Sequence, residues 1–314
     1  MEKFRSGFVS IIGKPNVGKS TLMNLLAGEK ISIVSSKPQT TRNRIRSILT
    51  RDGFQAVFID TPGIHKPSSK LGSYMVKSAE NSMNEVDCIL YLVEPRLKKL
   101  AGKDESGNPS YDFFEGDKII LERLRAVKPP VILVINKIDT VSQNELLQVI
   151  DRFRPHNFAE VMMISALKAK NTDELLEIVM KMLPLGPKYF PDGMVTDQPE
   201  RQIASELIRE KALIRLKEEV PHGVAVEILS MKNVEGKKDL IEVQANIVCE
   251  KDSHKGIIIG KGGLMLKEIG TQARRDIEML LGSQVNLQLW VKVKKGWKDD
   301  DFQLKSYGYD IKSI

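Results

Sequence analysis

One glycine-rich stretch near the amino terminus, Gly13–Ser20 (GKPNVGKS), constrains this chain more than any other feature. It matches every fixed position of the pattern G-x-x-x-x-G-K-[ST], in which a backbone loop wraps around phosphate oxygens. The apolar run at 8–12 predicts a buried strand before it, and Thr21 opens a run with helical apolar spacing after it. The sequence therefore predicts a glycine loop that joins a strand to a helix N-terminus, where backbone N–H groups attract an anion.

Two further features supply groups for a nucleotide triphosphate and its metal ion. In the loop, Lys19 can reach the β- and γ-phosphates and the Ser20 hydroxyl can ligate Mg²⁺. The segment Asp60–Gly63 (DTPG) directly follows a strand-like run at 54–59. Its first residue can hold Mg²⁺ through water, and its glycine can place an N–H near a γ-phosphate.

The segment Asn136–Asp139 (NKID) follows an apolar strand at 131–135 and indicates which base is bound. A carboxylate at Asp139 can accept hydrogen bonds from both N1–H and the 2-amino group of guanine. Adenine lacks this donor pair and would leave the carboxylate desolvated and unpaired. We expect Asn136 to tie this loop to the phosphate loop and the stem of Lys137 to cover the base.

Alternating strand and helix patterns over residues 6–183 predict a doubly wound, mostly parallel α/β sheet. A fourth loop, Ser165–Leu167 (SAL), follows a strand at 161–164 and can offer a backbone N–H to guanine O6. All four motifs fall at the carboxyl ends of predicted strands, which is where open α/β sheets bind ligands.

The pattern changes beyond a Pro/Gly-rich linker at 184–193. The expected elements are a helix over 200–219, strands over 224–229 and 240–248, a helix over 271–281 and a strand over 285–293. A glycine turn, Gly260–Gly263 (GKGG), lies between two helical stretches, as in a KH module that clamps about four nucleotides of single strand. Residues 255–275 hold five cationic side chains and one acidic one, so the positive charge is a local patch. The alternative interpretation is a solvated helix face with a glycine stop, in which Ile257–Ile259 belongs to the core.

The composition is that of an ordinary globular protein long enough for two domains, with 314 residues, 41% hydrophobic and 28% charged. Its net charge of +7 permits a polyanionic partner without requiring one. Cys88 and Cys249 lack motif spacing, which favours two buried thiols in a reducing compartment. The absence of an apolar run of about 18 residues and of a secretory segment predicts a cytoplasmic protein.

Together these motifs, with the Gln39–Arg42 (QTTR) loop and the extended Asp60–His65 (DTPGIH) segment, resemble the Era family of bacterial GTPases over nearly the whole chain. The resemblance implies a doubly wound α/β P-loop GTPase domain followed by an α+β KH domain of the second topology. It implies hydrolysis of GTP to GDP with Mg²⁺, and a K⁺ ion held near Asn16. It also implies binding to the 3′ end of 16S ribosomal RNA, help in maturation of the small ribosomal subunit, and loose association with the inner face of the membrane.

We predict a GTPase domain over 1–185, a linker over 186–199, a KH domain over 200–298 and a C-terminal tail over 299–314. The predicted nucleotide-binding residues are Gly13, Lys14, Pro15, Asn16, Val17, Gly18, Lys19, Ser20, Thr21, Asp60, Thr61, Pro62, Gly63, Asn136, Lys137, Asp139, Ser165, Ala166 and Leu167. The predicted catalytic residues are Lys19, Thr41 and Gly63, and the metal ligands are Ser20, Thr41 and Asp60. The predicted RNA-binding residues are Lys255, Ile258, Gly260, Lys261, Gly262, Gly263, Lys267, Arg274 and Arg275.

Several choices stay open at this point. Spacing does not separate Thr41 from Thr40 as the threonine that reaches Mg²⁺. Ile64 stands where many GTPases carry a water-positioning glutamine, which predicts slow intrinsic hydrolysis that needs a cation, a partner or RNA. Residues 95–117 are interpreted as a long surface loop without an assigned function. We expect a monomer; the rival functions are an RNA-binding scaffold that senses GTP and a GTPase whose carboxyl domain meets lipid head groups.

Overall fold

The computed structural model describes residues 4–310 apart from 36, 38, 65, 104–108 and 238, so His65 of the predicted motif lies outside the described residues. The chain divides into two compact units. The first comprises the described parts of Met1–Ile31, Asn43–Lys66 and Met75–Asp197, and the second those of Ser32–Arg42, Pro67–Tyr74 and Gln198–Ile314.

Six strands of the first unit form one sheet. They are β1 (Arg5–Gly13), β2 (Ile45–Arg51), β3 (Phe54–Asp60), β4 (Cys88–Val93), β7 (Val131–Ile135) and β8 (Glu160–Met163). Their spatial order is β2-β3-β1-β4-β7-β8, with β2 antiparallel to β3 and the other pairs parallel. Every residue of β4 is apolar and buried, which a parallel strand covered on both faces requires.

Helices described in the first unit follow or precede these strands along the chain, and the residues of α2 up to Tyr74 belong to the second unit. The helices are α1 (Lys19–Ala27), α2 (Lys70–Asn84), α3 (Glu115–Leu124), α4 (Gln143–Phe153) and α5 (Thr172–Met182). Side chains of β1 and β4 alternate between two separate cores, so that Val9 and Leu90 pack in one and Ile12 and Tyr91 in the other. The predicted doubly wound α/β architecture is therefore confirmed. Cys88 and Cys249 are buried and unbridged, and burial raises the pKa of the Cys88 thiol to about 12.

The prediction of a long surface loop over 95–117 is wrong. Two strands, β5 (Lys98–Lys103) and β6 (Pro109–Asp112), pair as an antiparallel ribbon, and α3 begins at Glu115. The segment's lysine, glycine and proline content hid the strands, because a ribbon with solvent on its surface needs no apolar alternation. Sequence reasoning also left α4 out, although Ser142 and Glu145 form a capping box at its start.

The second unit carries a three-stranded sheet. Its elements are α6 (Glu200–Arg215), β9 (Ala225–Asn233), β10 (Leu240–Cys249), α7 (Asp252–Ile259), α8 (Leu264–Leu281), β11 (Gln284–Val293) and α9 (Asp301–Ser306). The strand order is β11-β10-β9, with β10 parallel to β11 and antiparallel to β9. Ile208 of α6 and Ile277 of α8 pack in the core of this unit. The helix predicted over 271–281 starts seven residues earlier than expected, because Gly263 in a left-handed conformation ends the preceding turn.

The described part of the predicted C-terminal tail is packed in the second unit. Trp297 is fully buried, donates from Nε1 to the Gly223 carbonyl at 3.0 Å and stacks on Tyr309 with ring centres 6.3 Å apart. Among the described residues, none of the helices has both the length and the apolar content for crossing a membrane.

Candidate functional site

The phosphate loop connects the end of β1 to the start of α1. Gly18 has a φ of +102° and stands directly before the helix. A Cβ atom at this position would lie 2.3 Å from Nδ2 of Asn136, far inside contact distance. Glycine is therefore required both by the backbone conformation and by the neighbouring loop.

Lys19 is held inside this loop by its own backbone. Its side chain is 6% exposed, and its Nζ donates to the carbonyl of Gly13 at 3.1 Å and to that of Lys14 at 2.9 Å. Burial lowers the pKa of Lys19 from 10.5 to about 8, and the charge of Asp60 partly opposes this shift. The ammonium is thus desolvated and kept at the loop, ready for an anion.

Ser20 and Asp60 meet at the carboxyl edge of the sheet. The Ser20 hydroxyl donates to Oδ2 of Asp60 at 2.6 Å. The next residue, Thr61, is fully buried and donates from Oγ1 to the Ile11 carbonyl at 2.8 Å, which fixes the start of this loop. A hydroxyl and a carboxylate side by side form a pair of hard oxygen ligands of the kind that Mg²⁺ prefers.

Gly63 packs directly against the phosphate loop. A Cβ atom on it would lie 2.8 Å from the backbone nitrogen of Pro15. The following side chain, Ile64, is 1% exposed and belongs to the core cluster that contains Ile12 and Tyr91. The position that carries glutamine in many GTPases therefore faces the protein interior here.

Asn136 joins three of the four predicted loops. Its Nδ2 donates to the Val17 carbonyl at 2.8 Å, and its Oδ1 accepts from the backbone N–H of Ala166 at 2.9 Å. The side chain is 2% exposed, so both hydrogen bonds are shielded from water. The phosphate loop, the NKID loop and the SAL loop are thereby fixed relative to one another before any ligand binds.

The neighbouring residues complete the candidate base site. Lys137 has a φ of +66° and donates from Nζ to the Asn16 carbonyl at 2.6 Å; it also pairs with Glu94. A hydrogen bond from the Ser165 hydroxyl lowers the pKa of Asp139, which keeps this carboxylate ionised. Leu167 is 76% exposed.

The two candidate switch threonines belong to the second unit. They lie in the segment Ser32–Arg42, where Thr40 donates from Oγ1 to the Lys37 carbonyl at 2.6 Å and Thr41 is buried. The position of Thr41 relative to Ser20 and Asp60 stays a prediction. The segment ends at Arg42, which is 1% exposed and donates to the carbonyls of Val224 at 2.7 Å and His222 at 3.2 Å.

The glycine turn of the second unit lies between α7 and α8. Gly262 has a φ of +58° and Gly263 a φ of +79°. At both positions, no described atom lies within 4 Å of the place that a Cβ atom would occupy, so their backbone faces open space. The turn is followed by a groove of about 450 Å³ between α8 and β11.

Part of the predicted RNA-binding set lines this groove. The predicted residues that line it are Gly263, Lys267 and Arg274. Lys255, Lys261 and Arg275 are exposed but do not line it. Sequence reasoning missed the remaining lining residues, which are Leu266, Gly270, Thr271, Val285, Asn286, Leu287 and Leu289. The apolar alternation at Val285, Leu287 and Leu289 in β11 was the available signal for three of them.

Ile258 is a wrong prediction. It is fully buried in the core of the second unit, whereas its neighbour Ile257 is 50% exposed. Successive residues of a helix point about 100° apart, so one of the two faces the sheet and the other faces solvent. If an isoleucine of α7 contacts bases, it is Ile257.

Two protein-family models match this chain, one in the amino-terminal part and one in the carboxy-terminal part. The family model described as "50S ribosome-binding GTPase" matches residues 8–137, and the family model described as "KH domain" matches residues 219–298.

Full-length relatives are also found. The GTPase Era of Clostridium novyi (strain NT) is 55% identical over 98% of this chain and 99% of its own length. A crystal structure of Era in complex with MgGDPNP and nucleotides 1506–1542 of 16S ribosomal RNA has a TM-score of 0.88 at 38% identity, covering 98% of this chain and 99% of that one. A variant of Aquifex aeolicus Era bound to GDP.AlF4⁻ has a TM-score of 0.87 at 38% identity, covering 98% and 100%. This chain therefore belongs to the Era family of GTPases.

Proposed function

We propose that this chain hydrolyses GTP in its first unit, binds single-stranded ribosomal RNA in its second unit, and couples the two in assembly of the small ribosomal subunit. GTP binding by the first unit is supported above all by Asn136. Its two hydrogen bonds hold the phosphate loop, the NKID loop and the SAL loop together in one preformed site. The relatives with MgGDPNP, GDP.AlF4⁻ and 16S ribosomal RNA support both halves.

In this mechanism Lys19 stabilises the phosphates. Its ammonium donates to the carbonyls of Gly13 and Lys14 and has a third N–H for the β- and γ-phosphate oxygens, so a desolvated cation gains an anionic partner. The N–H of Gly63 approaches the γ-phosphate. Ser20, Asp60 and Thr41 would hold Mg²⁺, which neutralises charge that develops on the phosphates.

Guanine selection is assigned to Asp139. Its carboxylate accepts from N1–H and the 2-amino group, and the Ser165 hydroxyl keeps it ionised. Asp139→Asn replaces one hydrogen-bond acceptor by a donor and should change the preferred nucleotide from GTP to xanthosine triphosphate (XTP). Affinities of the variant for both nucleotides check this, and an unchanged preference for GTP would remove Asp139 from the site.

Intrinsic hydrolysis should be slow because the side chain after Gly63 is buried and apolar. Ile64 cannot orient the attacking water by a hydrogen bond. Rapid turnover by the purified protein without RNA or a partner would contradict this proposal.

Stimulation by K⁺ is proposed from the resemblance at Asn16. This residue has a φ of +66°, and its carbonyl is held by Lys137 at the edge of the phosphate loop. Hydrolysis rates measured in potassium and in sodium buffers decide the point. Equal rates would exclude a K⁺-specific role for this loop.

RNA binding is assigned to the groove between α8 and β11 with the glycine turn at its end. Gly263 lets a phosphate approach the backbone, while Lys267 and Arg274 supply charge along the groove. The apolar lining, such as Leu287, offers a surface for bases.

The decisive experiment measures RNA affinity with GDP, with a non-hydrolysable GTP analogue and without nucleotide. The probe is a single strand from the 3′ end of 16S ribosomal RNA at fixed salt, because salt alone changes such affinities strongly. Tighter binding with the GTP analogue establishes a coupled switch, and by linkage the RNA then favours the GTP state. Equal affinities would favour the scaffold function, in which GTP is sensed and hydrolysis is incidental.

Association with the small ribosomal subunit and peripheral contact with a membrane are proposed from the resemblance alone. Co-sedimentation with small subunits and with anionic vesicles tests them. Gly262→Asp separates the two partners, because it adds a carboxylate to the glycine turn at the end of the groove but barely changes a diffuse positive surface. Loss of subunit binding with retained vesicle binding would assign the glycine turn to RNA.

A further inference from the structure

Lys14, the second residue of the phosphate loop, reaches across to the start of α3. Its Nζ lies 2.5 Å from Oδ2 of Asp117 and 4.3 Å from the centre of the Phe114 ring. The other carboxylate oxygen of Asp117 accepts from the Tyr91 hydroxyl at 3.1 Å. A carboxylate in the first turn of a helix is thus held between a cation and a phenol.

This contact is enclosed. The Asp117 side chain is 5% exposed and that of Lys14 is 18% exposed. Burial raises the pKa of the Asp117 carboxyl, while Lys14 and Tyr91 oppose the shift. A Cβ atom on Gly116 would lie 2.9 Å from Cδ of Lys14, so the lysine stem packs directly on the α3 backbone. The pair joins residues 103 positions apart in the chain, at the point where the β5–β6 ribbon leads into α3.

The backbone of Lys14 also holds the cation that acts on the phosphates. Its carbonyl accepts from Nζ of Lys19 at 2.9 Å, and the carbonyl of Gly13 accepts from the same atom at 3.1 Å. Lys14 therefore contacts Asp117 through its side chain and Lys19 through its backbone carbonyl.

We propose, on the basis of the GTPase function proposed above, that Asp117 is a positioning residue for GTP hydrolysis. It acts through Lys14: the ion pair fixes the phosphate-loop backbone at residues 13 and 14, which in turn sets the resting place of Lys19. Displacement of a catalytic group by about 1 Å can lower a rate by about 100-fold, so a brace of this kind matters for chemistry. The same ion pair keeps the Lys14 ammonium away from the phosphates and leaves Lys19 as the cation that meets them.

A purely structural ion pair would behave differently. Removing one member of a buried pair destabilises the fold whether or not the pair positions anything. The discriminating readout is therefore the single-turnover rate constant at saturating GTP, measured on folded protein. A structural pair changes thermal stability and leaves that rate constant unchanged.

The experiment compares Asp117→Asn, Lys14→Met, the double variant and Lys14→Arg. Asp117→Asn keeps the shape and a partner for Tyr91, Lys14→Met keeps the stem over Phe114, and Lys14→Arg keeps a cation for Asp117. The matched control is Asp112→Asn, because Asp112 lies at the same ribbon base and pairs with Lys118 at 2.6 Å and Arg152 at 3.1 Å. Active-site titration with fluorescent GDP gives the folded fraction of each variant.

We expect Asp117→Asn and Lys14→Met each to lower the single-turnover rate constant by about tenfold. In Asp117→Asn, which leaves the phosphate loop itself unaltered, GDP affinity should change by less than about threefold. The double variant should be no slower than the slower single variant, since both changes remove one interaction. Lys14→Arg keeps a cation for Asp117 and should therefore be slowed less than Lys14→Met. The single-turnover rate constant of Asp112→Asn should equal that of the unmodified chain.

Three results would overturn the assignment. They are an unchanged rate constant in Asp117→Asn, additive losses in the double variant, and a loss in Asp112→Asn equal to that in Asp117→Asn. These results are distinct from failure of the GTPase function itself, which would show as an unmodified chain that neither binds nor hydrolyses GTP.

Discussion

The molecule contains two glycine loops that each lead into a helix, and they differ in what surrounds them. In the phosphate loop, a side chain on Gly18 would collide with Asn136 at 2.3 Å. In the turn before α8, Gly262 has no described atom within 4 Å of where a side chain would begin. The first loop is closed by the neighbouring Asn136 loop, whereas the backbone of the second is open as far as the described residues show.

This difference separates two uses of glycine. In the closed loop, glycine gives room to another part of the protein, so a substitution should damage the site before any ligand arrives. In the open turn, glycine supplies a left-handed backbone and access for a ligand, so a substitution should chiefly lower the affinity for RNA. Four predictions test this distinction.

The largest effect is expected from Gly18→Ala. The added methyl group must displace Asn136, which then loses its hydrogen bonds to Val17 and Ala166. Two buried hydrogen bonds at about 1–3 kcal/mol each correspond to a loss of nucleotide affinity on the order of 100-fold or more. Titration with fluorescent GDP measures it.

The matched control for this variant is Gly28→Ala at the end of α1. Gly28 also has a positive φ, +73°, but no described atom lies within 4 Å of its Cβ position. It should lose about 1–2 kcal/mol of stability and keep its nucleotide affinity. Equal affinities for Gly18→Ala and Gly28→Ala would show that the phosphate loop is not closed by Asn136.

The second prediction concerns the buried cation of the closed loop. Because the folded pKa of Lys19 is about 8 and its ordinary value is 10.5, the unfolded chain binds more protons between these pH values. The free energy of unfolding of the nucleotide-free and magnesium-free protein should therefore rise with pH over this window, by about 3 kcal/mol from this group.

Urea unfolding between pH 7.5 and 10.5 in the presence of EDTA measures this rise, with the window set by the two pKa values of Lys19. In Lys19→Met the rise should be smaller by that amount. Lys261→Met is the control, because the cation of the open turn is exposed to solvent. The same pH dependence in Lys19→Met and in the unmodified chain would mean that the ammonium is not desolvated in the loop.

The third prediction concerns the open turn. Gly262→Asp adds a carboxylate where an RNA phosphate must approach, and should lower RNA affinity by about 10- to 100-fold while GDP affinity stays unchanged. Gly236→Asp in the β9–β10 turn is the control, since Gly236 has a positive φ of +75° and, like Gly262, no described atom within 4 Å of its Cβ position. If both variants lose RNA affinity equally, net charge and not the turn is responsible.

The same contrast explains which parts of the fold and of the site could be predicted from the sequence. The phosphate loop and the loops at Asp60 and Asn136 were predictable because fixed residue types at fixed spacing follow parallel strands of one sheet, whose carboxyl ends share one edge. The Lys14–Asp117 pair was not, because it joins a variable position of the phosphate loop to a residue 103 positions later that belongs to no motif. Ile258 was misassigned because an unbroken apolar run does not reveal which of its members faces the sheet. The β5–β6 ribbon was missed because its strands lack apolar alternation.

The smallest effect is expected from single cations of the open groove. Lys267 lines the groove with Arg274, so Lys267→Met should remove one phosphate contact, weaken RNA binding only severalfold, and reduce the slope of log affinity against log salt by about 0.7. Lys217→Met is the control, because Lys217 is exposed, does not line the groove and is not among the predicted RNA-binding residues, so its slope should not change. Affinities measured over a series of salt concentrations give both slopes. Equal slopes for Lys267→Met and the unmodified chain would place the RNA backbone elsewhere on the second unit. The positive charge of the phosphate loop is concentrated on one desolvated lysine, whereas in the groove it is shared among cations along an open surface.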